Sequence, residues 1–155
     1  MEWVAETQPN TIMMLDAQLV LSDAQAVTTT ANSANVFDIG ENKGVLGAGE
    51  SIEFGVLVTE AFAGLTDLTI QVVGSDASGL TSPEIIDGSS AILLADLTAG
   101  KRVFAGKVNL SGKHRYYGIK YVVNGTATGG KVTAYFNLDQ YEHNTYPSGF
   151  EVLTN

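Results

Sequence analysis

The side chains in this chain best suited to chemistry are two histidines, His114 and His143, and six tyrosines. A nucleophilic mechanism needs a Ser, Thr or Cys beside a base. The chain has no cysteine and no G-x-S-x-G elbow, and each histidine sits in a tyrosine-rich setting. Both read as hydrogen-bonding surface or edge histidines. A metal site needs clustered ligands, and neither an H-x-x-x-H pair nor a D-x-[DN]-x-[DN]-G loop occurs. Glu84 and Asp87, in "SPEIIDGSS", read as solubilising charges at a strand end. A carboxylate pair for glycoside hydrolysis is set by the fold, and 17 acidic residues make accidental pairs certain, so acid count is no evidence. "GVLGAGE", 44–50, inverts a dinucleotide fingerprint, but a strand follows it where that fingerprint needs a helix. "NLS" at 109–111 and "NGT" at 124–126 match the glycosylation pattern and read as coincidence without a secretory signal. The residues therefore predict no catalytic, cofactor-binding or metal-binding site, and a protein that is not an enzyme.

The stretch "HRYYGIKYVVNGTATGGKVTAYFNLD", 114–139, holds four of the six tyrosines and one histidine. Tyr116, Tyr117, Tyr121 and Tyr135 could form a sugar-stacking platform. Tyrosine is also a good strand residue, and cross-strand aromatic pairs fill sandwich cores, so the structural reading carries more weight. The pattern predicts a hairpin. Arg115, Tyr117, Ile119, Tyr121 and Val123 share one face of its first arm. Val132, Ala134, Phe136 and Leu138 are the apolar set of the second. The glycine-rich tip "NGTATGG", 124–130, turns the chain.

The elements that would position these residues are short and extended. "ESIEFGVLVTE", 50–60, alternates with Ile52, Phe54, Val56 and Val58 on one face, the period of a half-buried strand. "AFAG", 61–64, turns the chain. "TDLTIQVV", 66–73, alternates again with Leu68, Ile70 and Val72 inward. "GSDASGLTSPE", 74–84, reads as a long polar loop, followed by short segments at 84–87 and 91–94. "LADLTAG", 94–100, suggests one helical or 3₁₀ turn closed by Gly100. "KRVFAGKVNL", 101–110, is a strand with Phe104, Val108 and Leu110 on one face. Residues 12–21, "IMMLDAQLVL", fit a helical turn or a buried strand equally. The three prolines, at 9, 83 and 147, all fall outside the strands. Six to eight short strands separated by Gly-rich turns predict an all-β antiparallel sandwich or barrel.

With 155 residues the chain has the length of one domain. The absence of cysteine excludes disulfides and thiolate metal sites. A net charge of -9 repels nucleic acid phosphates and anionic lipid heads, so neither nucleic acid nor a membrane is an expected partner. "MEWVAETQPN" lacks the basic start of a signal peptide, and the longest apolar run, "AILLA" at 91–95, is far short of a span. Residues 1–12 read as an arm or extension, 13–155 as the β-sandwich domain, with an extended C-terminal tail from about 140.

Three segments together resemble a known family. "LDAQLVLSDAQAVT" at 15–28, "VTEAFAGLTDLTIQVVGSDA" at 58–77 and "NTYPSGFEV" at 144–152 are similar, in order and spacing, to the capsid cement, or decoration, proteins of short-tailed Bordetella phage. Members of that family begin near the position of Met13 or Met14, so nothing carries over to residues 1–12. The resemblance implies a single-domain jelly-roll-like β-sandwich. It implies a structural virion protein, made in the host cytoplasm, that binds the outer surface of an icosahedral head and clamps adjacent major-capsid subunits. Its implied partners are the major capsid protein and itself, as a dimer. Aromatics outside a core often anchor interfaces. On that ground Tyr146, Pro147 and Phe150 in "TYPSGF", and Trp3 in the arm, are the candidate contact residues. The alternative is a carbohydrate-binding β-sandwich module of a phage tail or adhesin, resting on the tyrosines.

Overall fold

A computed structural model describes residues 17–41, 51–110 and 112–137. Among them, a 3₁₀ turn at Ala17–Leu19 leads into β1 (Val20–Ala26). Two short strands follow, β2 (Ala31–Asn32) and β3 (Phe37–Asp38), then the long β4 (Ser51–Ser75). β5 (Glu84–Gly88) and β6 (Ile92–Leu93) lead through a 3₁₀ turn, Leu94–Asp96, to β7 (Arg102–Asn109) and the long β8 (Tyr116–Asn137). All pairings are antiparallel, and the fold is all-β, as the alternation predicts.

β4 and β8 pair with each other along almost their whole length, from Glu53↔Asn137 to Ser75↔Tyr116. This pairing corrects two sequence expectations. "AFAG", 61–64, does not turn the chain, and 114–139 is not a hairpin. β4 runs through the first and β8 through the supposed tip of the second. Each long strand bends rather than reverses. The ladder is irregular from Val58 to Asp67, and Gly64, Gly125 and Gly130 there have φ of 82°, 92° and 131°. Gly-rich irregularities let a sheet turn a corner without losing its pairing. A glycine run between two alternating segments looks the same in sequence whether the chain reverses or bends. Only the partner strand decides.

The bent ribbon forms two layers. In one, β1 and β7 flank the β8 131–137 and β4 51–58 segments. In the other, β2 and β3 flank β8 116–121, and β5 and β6 flank β4 67–74. Contacts cross from layer to layer. Phe37 of β3 meets Phe136 edge-on at 5.8 Å between ring centres, and the Asn35 N–H donates to the Leu21 carbonyl at 2.9 Å. Ile52, Phe54, Val56 and Val58 from one layer join Leu68, Ile70, Val72, Ile119 and Tyr121 from the other in one apolar core. Every inward position read from the alternation of these two β4 segments is buried.

Two details lay outside the alternation. β1 is irregular between Val20 and Gln25, with Ala24 at φ 43°, and the irregularity buries both Leu21 and Ser22. A bulge re-aims a side chain in this way. The Ser22 hydroxyl reaches the Tyr121 hydroxyl across the core at 2.8 Å. The loop after β4 reads as polar, yet Leu80 is buried. It packs on Gly118, where a Cβ would stand 2.5 Å from its Cδ1.

Gly130 is the tightest corner position. Its φ is 131°, and a Cβ there would enter the Phe62 ring. Gly130→Ala is expected to cost about 3 kcal/mol, combining backbone strain with overpacking. Gly100→Ala, at φ 82° in open space, is expected to cost only about 1 kcal/mol. Urea unfolding of the two variants checks the difference. Equal losses would show that the corner does not depend on the Phe62 contact.

Candidate interaction surface

The tyrosines of β8 do not form a platform. Tyr117, Tyr121 and Tyr135 are 1%, 0% and 7% exposed. Tyr117 and Tyr121 face the core, and burial pushes the Tyr121 phenol up from its ordinary value. Tyr135 lies on the other face, outside the core cluster, with its ring laid over Gly55. A glycine opposite an aromatic on the neighbouring strand offers it a bed, which explains why Tyr135 is buried although it lies off the apolar set of Val132, Ala134 and Phe136. Tyr116 alone is half-buried, and the Arg115 guanidinium sits 5.0 Å from its ring centre.

His114 is built into a clasp of charges at the end of the sandwich. Its Nε2 is 2.9 Å from a Glu84 carboxylate oxygen, and the Lys113 ammonium donates to Glu84 at 2.8 Å. Its Nδ1 lies 3.8 Å from Asp76. Beside it Arg115 grips Asp38 with two hydrogen bonds, of 2.9 and 3.0 Å. No serine or threonine hydroxyl is hydrogen bonded to His114 among the described residues, so the arrangement supplies no activated nucleophile. The clasp ties the start of β8 to β3 and β5. Its chemistry is that of a strap. Among the described residues no three His, Asp or Glu side chains converge as metal ligands. His143 lies outside the described residues.

The candidate contact residues Trp3, Tyr146, Pro147 and Phe150 also lie outside the described residues. Within them, the surface that stands out is one flank. β7 borders β4 in one layer, β5 and β6 border it in the other, and β8 lies on the opposite side of β4 in both. Ile85, Leu93 and Leu94, the large apolar side chains that remain exposed among the described residues, all belong to β5, β6 or the adjoining turn. Their short segments are legible in the sequence, but their exposure depends on these being border strands with nothing packed outside them among the described residues. Along β7 runs a shallow groove of about 300 Å³, lined by Glu53, Arg102, Ala105, Lys107, Tyr135 and Asn137. Its rim is charged and its floor small, which suits a protein contact better than an enclosed small ligand.

A family model, Bbp16, matches residues 21–136. The chain belongs to the Bbp16 family. The match runs from Leu21 in β1 to Phe136 in β8, so the Bbp16 region is the two-layer ribbon described above. The family name is of the Bordetella phage type. Comparison with curated proteins gives no match.

The clasp has a definite pH signature. Hydrogen bonds from Arg115, then from the Gly40 N–H, hold the Asp38 carboxyl below its ordinary 3.8. Those from Lys113 and His114 hold Glu84 below 4.5. A carboxylate depressed by folding stabilises above its unfolded value and loses that contribution as pH falls through the folded one. Both clasps are therefore complete at neutral pH and weaken below about pH 4. Arg115→Gln is expected to move the Asp38 midpoint upward, measured by NMR titration of its carboxyl carbon. An unmoved midpoint would mean that Arg115 does not hold Asp38.

Proposed function

We propose that this Bbp16-family chain is a structural virion protein that binds the outer surface of an icosahedral phage head and clamps adjacent major-capsid subunits. The observation that carries the reading is family membership across the whole ribbon, in a family whose name is of the Bordetella phage type. The resemblance of residues 15–28, 58–77 and 144–152 to capsid cement proteins supplies the finer role. The surface is consistent with it: a charged strap closes one end, and exposed apolar side chains line one flank. Such a protein works by mass action, because what binds only the assembled shell stabilises the shell. Repetition over a lattice turns modest contacts into strong retention. The carbohydrate-binding alternative loses its ground, since three of the four tyrosines on which it rested are buried.

The reading is tested on purified particles. The chain is expected in mass spectra of phage heads at a fixed ratio to the major capsid protein. Heads lacking it are expected to lose DNA at lower temperature or on milder osmotic shock. Heads that purify without the chain and keep full resistance would overturn the proposal.

A further inference from the structure

The outer face of the β1–β8–β4–β7 layer has no second layer on it, yet it holds a buried ring. Tyr135, Gly55 and Ala105 stand abreast there on β8, β4 and β7. Asn137, Glu53 and Lys107 form the row on one side of them. Thr133 and Leu57 form the row on the other side, and the register shift after Val56 brings Arg102 opposite Leu57. The groove of about 300 Å³ lies over the middle row, with Glu53, Lys107 and Asn137 at one end and Arg102 at the other. A ring laid on a sheet keeps its upper side in water unless chain lies over it, but Tyr135 is only 7% exposed. Its hydroxyl makes no hydrogen bond among the described residues, and a buried hydroxyl without a partner is costly. The charges are also unbalanced. Lys107 meets Glu53 at 3.3 Å, while Arg102 is exposed and makes no ion pair among the described residues.

We infer that this groove is the seat of the chain's own C-terminal tail, residues 138–155, which lies back across Tyr135 towards Arg102. Continuity selects this occupant. Asn137 is the last residue of β8 and lines the groove, so the tail starts at its rim. Length permits it. The tail has 18 residues, with a reach of roughly 60 Å when extended. The three rows span about 13 Å of strand, so ample chain remains to reverse beyond Asn137. Its chemistry is complementary. "LDQYEHNTYPSGFEVLTN" carries Asp139, Glu142 and Glu151 and no Lys or Arg, which suits Arg102. Tyr146 and Phe150 are suited to cover the Tyr135 ring, since offset or edge-on aromatic pairs are favourable. Tethering keeps the local concentration of the tail high, so modest contacts are enough to hold it. The N-terminal residues enter beside β1, at the opposite border of the layer from β7, and are worse placed to reach Arg102. The inference goes beyond the proposed function: it gives "TYPSGF" a seat on its own domain.

Two measurements on the full-length chain test it, with folding checked by circular dichroism. Chymotrypsin cuts after aromatic residues, and cleavage follows the fraction of time a segment is released. Cleavage at Tyr146 and Phe150 is expected to be about tenfold faster in Arg102→Glu and in Ala105→Trp, which fills the exposed floor, than in the native chain. The second measurement uses the absence of native cysteine. A spin label on Ala99→Cys, near the Arg102 end of the groove, is expected to broaden the amide signals of residues 144–152. Adding Arg102→Glu is expected to abolish that broadening. Cleavage as fast in the native chain as in both variants overturns the inference. So does broadening of residues 1–12 in place of the tail, which would make the arm the occupant. Tail signals broadened only between labelled and unlabelled copies in a mixed sample also overturn it, because the tail would then come from a second copy. None of these outcomes bears on head binding, which is read from the composition of purified heads.

Discussion

Everything in this fold hangs on the pairing of β4 with β8. Two strands of 25 and 22 residues lie side by side and bend together, so one ladder of hydrogen bonds runs through both layers. Neither layer can move independently of the other while that ladder is intact. The remaining strands are short pieces added to the ribbon's two sides, β1, β2 and β3 along β8, and β5, β6 and β7 along β4. Long-range pairing of this kind must be formed before the core can close, which makes the ribbon the slow and cooperative part of folding.

The same constraint explains the surface. A bent two-strand ribbon leaves open edges on both flanks, and the chain treats its edges differently. At one end, Asp38, Arg115, Lys113, His114 and Glu84 tie the added strands to the start of β8. On the β4 flank, β5 and β7 pair only with β4 among the described residues, and Ile85, Leu93 and Leu94 stay exposed there.

Much of the interior was legible in the order of residues. The alternation of Ile52, Phe54, Val56 and Val58, and of Leu68, Ile70 and Val72, names the buried face without any structure, because a strand's side chains must alternate. The strand at 101–110 was legible for the same reason; the helical or 3₁₀ turn read in 94–100 is a 3₁₀ turn at Leu94–Asp96 that ends at Leu97 rather than at Gly100. The bends were not. Glycines at 64, 125 and 130 permit several backbone paths, and the choice between reversal and bend lies in a partner strand more than fifty residues away. The burial of Leu80 in a polar loop, and of Tyr135 off the apolar set of its strand, was not legible from the pattern, since the glycines that receive them, Gly118 and Gly55, are distant in sequence. The exposed flank was legible only as apolar residues in short segments.

What the sequence determined by itself is the class of structure and its inner faces. Period-two alternation, prolines held outside strands and a lack of capped helical pattern leave an antiparallel β-fold, because these are local consequences of backbone geometry. The absence of cysteine and the acidic charge come from composition alone. Only the tertiary structure decided that two long strands bend together, that Tyr117 and Tyr121 face the core while Tyr135 is buried over Gly55 on the other face, and that Ile85, Leu93 and Leu94 stay exposed on one flank. Those outcomes depend on which segments pair across the chain, and pairing is a property of the assembled sheet.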